Sequence, residues 1–376
     1  MILDILIILG VVGLIGQCYI SSLWVFAYLK TKKKIFSSYT PLASVIVPCK
    51  GIDQDFKENI NGFLELDYPL YHLIFVVDSK NDPAYEALLI LSEKKANVHI
   101  VLTKPVCGCS GKVAALLTGV ELIQDADILV FADSDIKPDG HWLKNMVIPL
   151  QDERIGATTG YRWYFPTSWK TLLISAWNMV PIVFMFYPKY TFAWGGSTAI
   201  RKNVFERLQI KTRWKTAFSD DLVLTIAVKK AGYKIFFQPK CIMESPPEKS
   251  IRKFVLWGTR QYTWVRWYYP MFWLVSFIGF IGIQVIIALG LLLLIFGIHP
   301  IGILLSSIVL FEMLYGLLGI YLLPKTMSYS QKRFSSKIGY TLITPLVFLL
   351  IANNVFASAI TQKIEWAGRI YRKPKK

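Results

Sequence analysis

The sequence predicts an α/β fold: a cytoplasmic domain with a Rossmann-like, mostly parallel sheet, flanked by transmembrane helices. Between roughly residues 40 and 270, short β-branched apolar runs alternate with amphipathic stretches, which is the pattern of βαβ units. On both sides of this region lie uncharged apolar stretches long enough to cross ~30 Å of hydrocarbon. We therefore expect one sheet domain carried by membrane helices.

The composition favours a membrane protein over a nucleic-acid-binding protein. Of the 376 residues, 54% are hydrophobic, although the formal net charge is +17. The basic residues flank the apolar stretches and do not interleave with aromatic residues along a groove, so no nucleic-acid partner is expected. Five scattered cysteines exclude a disulfide scaffold. The charge is best explained by contact with a cytoplasmic leaflet.

Residues 1–29 are predicted to form an N-terminal transmembrane anchor. Residues 5–29 carry no charge, and no signal-peptide cleavage site follows them. Asp4 precedes this stretch, and Lys30, Lys32, Lys33 and Lys34 follow it. By the positive-inside rule the sheet domain is then cytoplasmic. The Ile- and Lys-rich composition hints at a prokaryotic inner membrane.

The C-terminal third contains the other predicted membrane segments. Residues 246–271 read as an interfacial amphipathic segment, 272–323 as a transmembrane hairpin, and 361–376 as a basic cytoplasmic tail. Residues 339–360 either span the membrane or form a re-entrant helix; the basic tail and Pro345 favour the second interpretation. Glu312, inside the hairpin, is either a functional intramembrane carboxylate or one paired with a neighbouring helix.

The sheet domain, residues 40–245, is predicted to begin with four strands, at 43–47, 72–77, 98–102 and 128–132. Helical patterns lie between them, near 55–65, 83–95 and 111–124. Ligands bind beyond the carboxyl ends of parallel strands. Polar residues follow three of these strands at that edge: Pro48 and Lys50, Asp78, and the pair Asp133 and Asp135. The sequence therefore places a site there.

Asp133 and Asp135 predict a metal site at the end of the fourth strand. Two carboxylates at i and i+2 can share a hard divalent cation, Mg²⁺ or Mn²⁺, which keeps positions open for a diphosphate. A solvated turn is the alternative. The four scattered histidines argue against zinc.

Further candidate residues lie at the starts of two predicted helices. Asp220 and Asp221 either favour the helix dipole or include a base that takes a proton from an incoming hydroxyl. Lys112 either meets a diphosphate or is solvated. Gly196 lies in a stretch that either approaches a sugar or phosphate or is a plain turn. Cys107 and Cys109 are interpreted as loop residues.

Two aromatic segments suggest contact with the membrane. Residues 168–192 are either core or, as we favour, an interfacial helix that presents a lipid acceptor. In residues 257–267, Arg260 and Arg266 either anchor the chain at the interface or neutralise a departing diphosphate.

Together these motifs resemble the membrane-bound GT-A glycosyltransferases of the ceramide glucosyltransferase-like family (family 21) and the wider inverting family 2. The resemblance covers residues 40–268: SVIVPCKGID with DSKNDP, ADSDIKP, GGSTAIRKNVF with SDDLVLT, and TRQYTW. It implies that Asp78 contacts the nucleotide, that Asp133 and Asp135 bind the metal, and that Asp221 is the catalytic base. The nucleotide-sugar-binding residues are then Pro48, Lys50, Asp78, Lys112, Asp133, Asp135, Gly196, Asp220, Arg260, Gln261, Trp264 and Arg266.

The chain departs from the family pattern at the (Q/R)xxRW motif. Thr263 occupies the position of its Arg, so either Arg260 or Arg266 takes over the diphosphate contact. The stretch GKVAALLTG is closer to family 2 in general, which leaves the acceptor open.

The resemblance implies an inverting hexosyltransferase. Its donor is a nucleotide-sugar, with a UDP-sugar favoured, and its acceptor is the hydroxyl of a ceramide-, diacylglycerol- or hopanoid-like membrane lipid. The alternatives are a processive polysaccharide synthase and a non-catalytic membrane scaffold.

Overall fold

The computed structural model describes residues 2–31, 38–93, 95–106, 108–123, 125–245, 250–323 and 337–373. Several predicted basic flanking residues, Lys32–Lys34 among them, and Cys107 lie outside these ranges. The chain divides into two compact units. The sheet unit comprises residues 34–163 and 185–245, and the helical unit comprises residues 1–33, 164–184 and 246–375.

The sheet unit is built on a seven-stranded mixed sheet, ordered β3-β2-β1-β4-β6-β5-β7. Its strands, numbered along the chain, are β1 (Ala43–Cys49), β2 (Tyr71–Val77), β3 (Val98–Leu102), β4 (Ile128–Ala132), β5 (Ile155–Tyr164), β6 (Ser197–Arg201) and β7 (Lys234–Ser245). Strands β1 to β4 pair in parallel, as predicted. Strand β6 runs antiparallel to both β4 and β5, so the sheet is mixed, in agreement with the mostly parallel sheet that the sequence predicts.

Helices cover both faces of this sheet. They are α2 (Phe56–Leu64), α3 (Pro83–Ser92), α4 (Gly111–Leu122), α5 (Trp142–Val147), α7 (Lys202–Arg207), α8 (Ile210–Trp214) and α9 (Asp220–Lys230). Helices are numbered along the chain, and α1 and α6 belong to the helical unit. Each face buries its own apolar cluster, which is why the parallel strands are almost wholly apolar. Ser110 and Ser219 cap α4 and α9 by accepting backbone hydrogen bonds, so both helices begin where the predicted site lies.

The helical unit contains seven helices and a short hairpin among the described residues. They are α1 (Ile2–Thr31), α6 (Trp169–Met185), α10 (Ile251–Tyr268), α11 (Pro270–Ile295), α12 (His299–Ser306), α13 (Ile308–Leu322), α14 (Lys337–Ile360), β8 (Lys363–Trp366) and β9 (Arg369–Arg372). Four stretches are long and apolar enough to cross a membrane: 4–27, 270–295, 299–322 and 337–360. The third consists of two helices, α12 and α13, where the sequence predicted a single continuous segment.

A buried polar pair lies halfway along these apolar helices. Gln284 Nε2 of α11 donates a hydrogen bond of 2.9 Å to Glu312 Oε1 of α13. Glu312 is 1% exposed, so this contact keeps a buried carboxyl group from being unpaired. The interpretation of Glu312 as a carboxylate paired with a neighbouring helix therefore accounts for its position.

Candidate active site

The loop after β4 lies at the centre of the candidate site. The backbone N–H of Asp133 donates to the carbonyl of Gly196, at 3.2 Å. This bond joins the end of β4 to the start of β6, because β6 pairs antiparallel with β4. Gly196 therefore lies beside the predicted metal-binding carboxylates.

Lys112, in the first turn of α4, connects several parts of the site. Its Nζ lies 2.6 Å from Asp133 Oδ1 and 3.4 Å from Asp220 Oδ2, and it donates to the carbonyl of Gly195 at 3.1 Å. Burial alone would lower the pKa of Lys112, but the carboxylates of Asp133, Asp220 and Asp221 outweigh it and raise the pKa. Lys112 is therefore a fixed cation held among acidic groups. The sequence predicted that Lys112 contacts a diphosphate or is solvated, and it did not indicate these carboxylate partners.

Arg162 of β5 was not predicted from the sequence. Its two terminal nitrogens form a bidentate contact with Asp135, at 3.0 and 2.6 Å, and Nη2 lies 3.7 Å from Asp133 Oδ2. The guanidinium also stacks on the ring of Trp194, 5.3 Å from its centroid. A single Arg within the buried run IGATTGYRWY was the available signal, since a buried cation requires a partner.

The carboxylates of the site have different protonation tendencies. Burial would raise the pKa of Asp133, but the Lys112 ammonium and the Arg162 guanidinium outweigh it, and the pKa lies below its usual value. Burial raises the pKa of Asp220 to about 6, even though Lys112 opposes the change. Asp133 is therefore an anion at neutral pH, whereas Asp220 gains a proton in mildly acidic solution.

Asp221 is held by donors at the start of α9. Its Oδ1 accepts hydrogen bonds from the backbone N–H of Leu222, at 2.7 Å, and from the Ser219 hydroxyl. Its Oδ2 accepts from the backbone N–H of Gly195, at 3.3 Å. These bonds fix the orientation of a partly exposed carboxylate, as a base at a reacting hydroxyl requires.

The predicted nucleotide residues lie at the ends of β1 and β2. Lys50 Nζ and Asp78 Oδ2 form an ion pair of 2.9 Å between the ends of the two adjacent strands. Pro48 is in β1, and the backbone N–H of Gly51 donates to Asp82, which also caps α3. The paired register of β1 and β2 brings these residues to one edge.

The remaining predicted residues, Arg260, Gln261, Trp264 and Arg266, belong to α10 of the helical unit. Arg260 stacks on the ring of Trp366, 5.5 Å from its centroid, and burial lowers its pKa to about 10. The guanidinium of Arg266 donates to the carbonyls of Ala359 and Thr361. Both arginines thus have partners inside the helical unit.

The donor set of the strand-end site suits a hard divalent cation. The described residues contain no group of three or more His, Cys, Asp and Glu side chains arranged as a metal centre. Asp133 and Asp135 nevertheless approach the same nitrogen, Nη2 of Arg162, at 3.7 and 2.6 Å. Carboxylate oxygens that already converge on one positive charge are the ligands that Mg²⁺ and Mn²⁺ prefer.

Comparison with known proteins shows the family of this chain. Residues 5–375 match the model of glycosyl transferase family 21, as the resemblance predicted. A probable glycosyltransferase of Bacillus subtilis, YdaM, is 28% identical over 239 residues, which are 60% of this chain and 55% of that protein. The chain therefore spans about half the length of this curated relative.

A solved structure shares the fold. The mannosyltransferase PcManGT from Pyrobaculum calidifontis, in complex with GDP-Man and Mn²⁺, superimposes with a TM-score of 0.52 at 17% identity. The match covers 94% of this chain and 98% of that one. The predicted α/β architecture of GT-A type is thereby confirmed.

Proposed function

The chain belongs to glycosyl transferase family 21, and on that premise we propose that it transfers a hexose from a nucleotide-sugar to the hydroxyl of a membrane lipid with inversion at the anomeric carbon. The observation that carries this proposal is the strand-end cluster, where Lys112 joins Asp133 to Asp220, next to Asp221. The apolar helices of the same chain support a lipid as the acceptor.

The donor is proposed to bind across the ends of β1, β2 and β4. Lys50 and Asp78, which pair with each other, are placed for the nucleoside, beside Pro48. Asp133 and Asp135 would hold Mg²⁺ or Mn²⁺, which would supply positive charge to a diphosphate leaving group. The GDP-Man and Mn²⁺ of the similar mannosyltransferase support this class of donor and metal. We favour a UDP-sugar as the donor. The use of both UDP- and GDP-sugars in the test described below distinguishes it from a GDP-sugar.

The proposed base is Asp221. It removes the proton from the acceptor hydroxyl, whose oxygen attacks the anomeric carbon on the side opposite the diphosphate. The N–H donors of Gly195 and Leu222 hold the carboxylate in place for this step. Asp220 is turned to Lys112 instead, so the two adjacent carboxylates have different roles.

Lys112 is proposed to position the site electrostatically. As a cation bound to Asp133, Asp220 and the carbonyl of Gly195, it holds the adjoining ends of β4, β6 and α9 together around the sugar. Gly196, whose carbonyl accepts from the backbone N–H of Asp133, packs against the Trp194 ring, where a Cβ would collide with it. Arg260 and Arg266, with Gln261 and Trp264, stay candidates for a diphosphate contact supplied by α10.

We infer that α14 lies in one leaflet and does not cross the membrane. Phe348 of α14 packs on Phe280, ten residues after the start of α11, and therefore about 15 Å from that end. Trp273, near the same end, donates to Ser358 at 2.8 Å. Tyr340 lies against Gly316, about 9 Å from the C-terminal end of α13.

These contacts support the proposal that both ends of α14 lie near the same membrane face. The pairing of Gln284 with Glu312 makes α11 and α12–α13 an antiparallel hairpin, so the start of α11 and the end of α13 share a side. A crossing helix would separate Tyr340 from Ser358 by about 27 Å in depth. A one-leaflet α14 keeps the basic segment after it cytoplasmic, in agreement with the positive-inside rule.

The test is mass spectrometry of lipids from a bacterial host that expresses the wild type or Asp221→Asn. We expect a lipid heavier by one hexose in the wild type only, because the variant keeps the donor site and loses the base. A ladder of many hexoses would identify a polysaccharide synthase. Equal amounts of product from both proteins, or no product together with no nucleoside diphosphate release from UDP- and GDP-sugars by purified protein, would contradict the proposal.

A further inference from the structure

Arg162 occupies the position between the two carboxylates that the proposed function assigns to a metal. Its bidentate contact engages both oxygens of Asp135, at 3.0 and 2.6 Å, and the same guanidinium lies 3.7 Å from Asp133. Only 16% of the positively charged Arg162 side chain is exposed. Arg162 thus neutralises Asp135 and shares Asp133 with Lys112, whose Nζ lies 2.6 Å from Asp133 Oδ1.

The two cations of the site are held differently. Lys112 has partners on three elements, Asp133 after β4, Gly195 before β6 and Asp220 on α9, so its movement would disturb all three. Arg162 makes its bidentate contact with Asp135, whose side chain is 47% exposed. Because Asp135 is half-exposed, water and a divalent cation can reach its carboxylate and compete with Arg162 for it. Arg162 is therefore the exchangeable cation.

The other contact of Arg162 allows such an exchange. The guanidinium lies over the face of Trp194, and this stacking uses none of its N–H donors. A guanidinium that leaves Asp135 can stay on the ring and present its N–H fork to another anion. A diphosphate is the anion that the proposed reaction brings to this edge, and the fork matches phosphate geometry.

We propose that Arg162 is a displaceable counter-ion: it pairs with Asp133 and Asp135 in the metal-free protein and transfers to the donor diphosphate when a divalent cation takes those carboxylates. No covalent bond changes in this step, since one ion pair replaces another. The inference rests on the proposed metal-dependent function. It adds a phosphate-binding residue on β5 to the candidates that the sequence offered, which were Lys112 and the arginines of α10.

The exchange predicts opposite effects of one substitution on two ligands. In Arg162→Gln the cation that competes with the metal for Asp135 is gone, while Lys112 stays on Asp133, so Mn²⁺ should bind the nucleotide-free protein roughly tenfold more tightly. The same variant should bind UDP or GDP in saturating Mn²⁺ roughly tenfold more weakly, because the diphosphate has lost its fork. A residue that merely supports the fold would weaken both ligands together.

The experiment measures free Mn²⁺ by electron paramagnetic resonance during titration of the full-length protein in detergent, without nucleotide. Arg154→Gln is the matched control, because Arg154 makes a similar bidentate contact with Asp152 just before β5. Its Mn²⁺ affinity should equal that of the wild type. Arg162→Lys keeps the charge without the fork and should fall between wild type and Arg162→Gln in both titrations.

An unchanged or weaker Mn²⁺ affinity in Arg162→Gln would overturn the counter-ion proposal, even where the wild type binds Mn²⁺ and transfers sugar. Absence of Mn²⁺ binding by the wild type would overturn both this proposal and the metal site. Tighter Mn²⁺ binding and weaker nucleotide binding in the variant, without sugar transfer by the wild type, would support the counter-ion and reject the proposed reaction. The two failures are therefore distinguishable.

Discussion

Two regions of this chain present basic side chains to very different partners. In the sheet unit, Lys112 and Arg162 face the carboxylates of Asp133, Asp135 and Asp220. Along α10 of the helical unit, the arginines contact an aromatic ring and backbone carbonyl groups. A cation such as Arg162, paired with a half-exposed carboxylate, can be displaced when another ion arrives, whereas an arginine bound to carbonyl groups at a helix end contributes to the fold. The comparison places the ion chemistry at the strand ends.

The largest effect is expected from Asp221→Asn. Loss of the base should reduce the rate of lipid glycosylation about 10²–10⁴-fold, while the affinity for nucleoside diphosphate stays within about twofold. Radiolabelled sugar in the lipid fraction measures the rate, and the exposed Asp125→Asn serves as control. A variant that keeps more than about a tenth of the wild-type rate would remove Asp221 from this role.

Gly195→Ala should disturb the contacts of Lys112 without any change of charge. An added Cβ would lie 2.7 Å from Asp220 Oδ2 and 2.8 Å from Lys112 Nζ, so both groups must shift. Displacements of about 1 Å at a catalytic site can cost 10²-fold, so we expect a fall in kcat of about 10–100-fold. Gly282→Ala, which meets nothing within 4 Å, should leave kcat unchanged. Equal kcat values for both variants would show that the Lys112 contacts do not matter for turnover.

Substitutions of the α10 arginines test whether these side chains contribute to the fold or to donor binding. Arg266→Gln removes donors from two carbonyl groups at the end of α14, so the Tm should fall by a few degrees. The KM for the donor should stay within about threefold in both Arg266→Gln and Arg260→Gln. A tenfold rise in KM for either variant would return the diphosphate contact to α10, where the family motif predicts it.

The smallest effect concerns the pH dependence of stability. Because burial raises the pKa of Asp220 to about 6, the metal-free fold binds a proton that the unfolded chain releases near pH 4. The contribution of Asp220 to stability therefore decreases as the pH rises from 4 to 6. Asp220→Asn resembles the protonated form, so its Tm relative to the wild type should increase by a few degrees between pH 5 and pH 7.5. A Tm difference that is constant with pH would contradict this assignment.

The first half of the sheet and the strand-end site were predictable from the sequence. Continuous apolar runs bounded by polar residues predict parallel strands covered on both faces, and β1–β4 have this pattern. The edge where Asp78 and Asp133 lie follows from the direction of those strands alone. Strands β5 and β6 were not foreseen, because Gly, Thr and Arg interrupt their apolar residues.

The contacts within the site could not be predicted in the same way. Lys112 meets Asp220 and Gly195 across more than 80 residues of sequence, and Arg162 lies on an unpredicted strand. The position of Lys112 at the start of a predicted helix made it a candidate for anion binding. That position did not indicate that its partners would be carboxylates. Such pairings depend on how β6 turns back against β4, which periodicity alone does not determine.

The most direct test of the active site is sugar transfer by purified protein in lipid nanodiscs, with UDP- and GDP-hexoses and Mn²⁺. The account predicts that one donor yields a lipid carrying a single hexose, and that EDTA abolishes the product. Asp133→Asn should abolish it as well, because the metal-binding pair is broken. Undiminished product in EDTA or in Asp133→Asn would contradict the assignment of the strand-end carboxylates as the centre of the reaction.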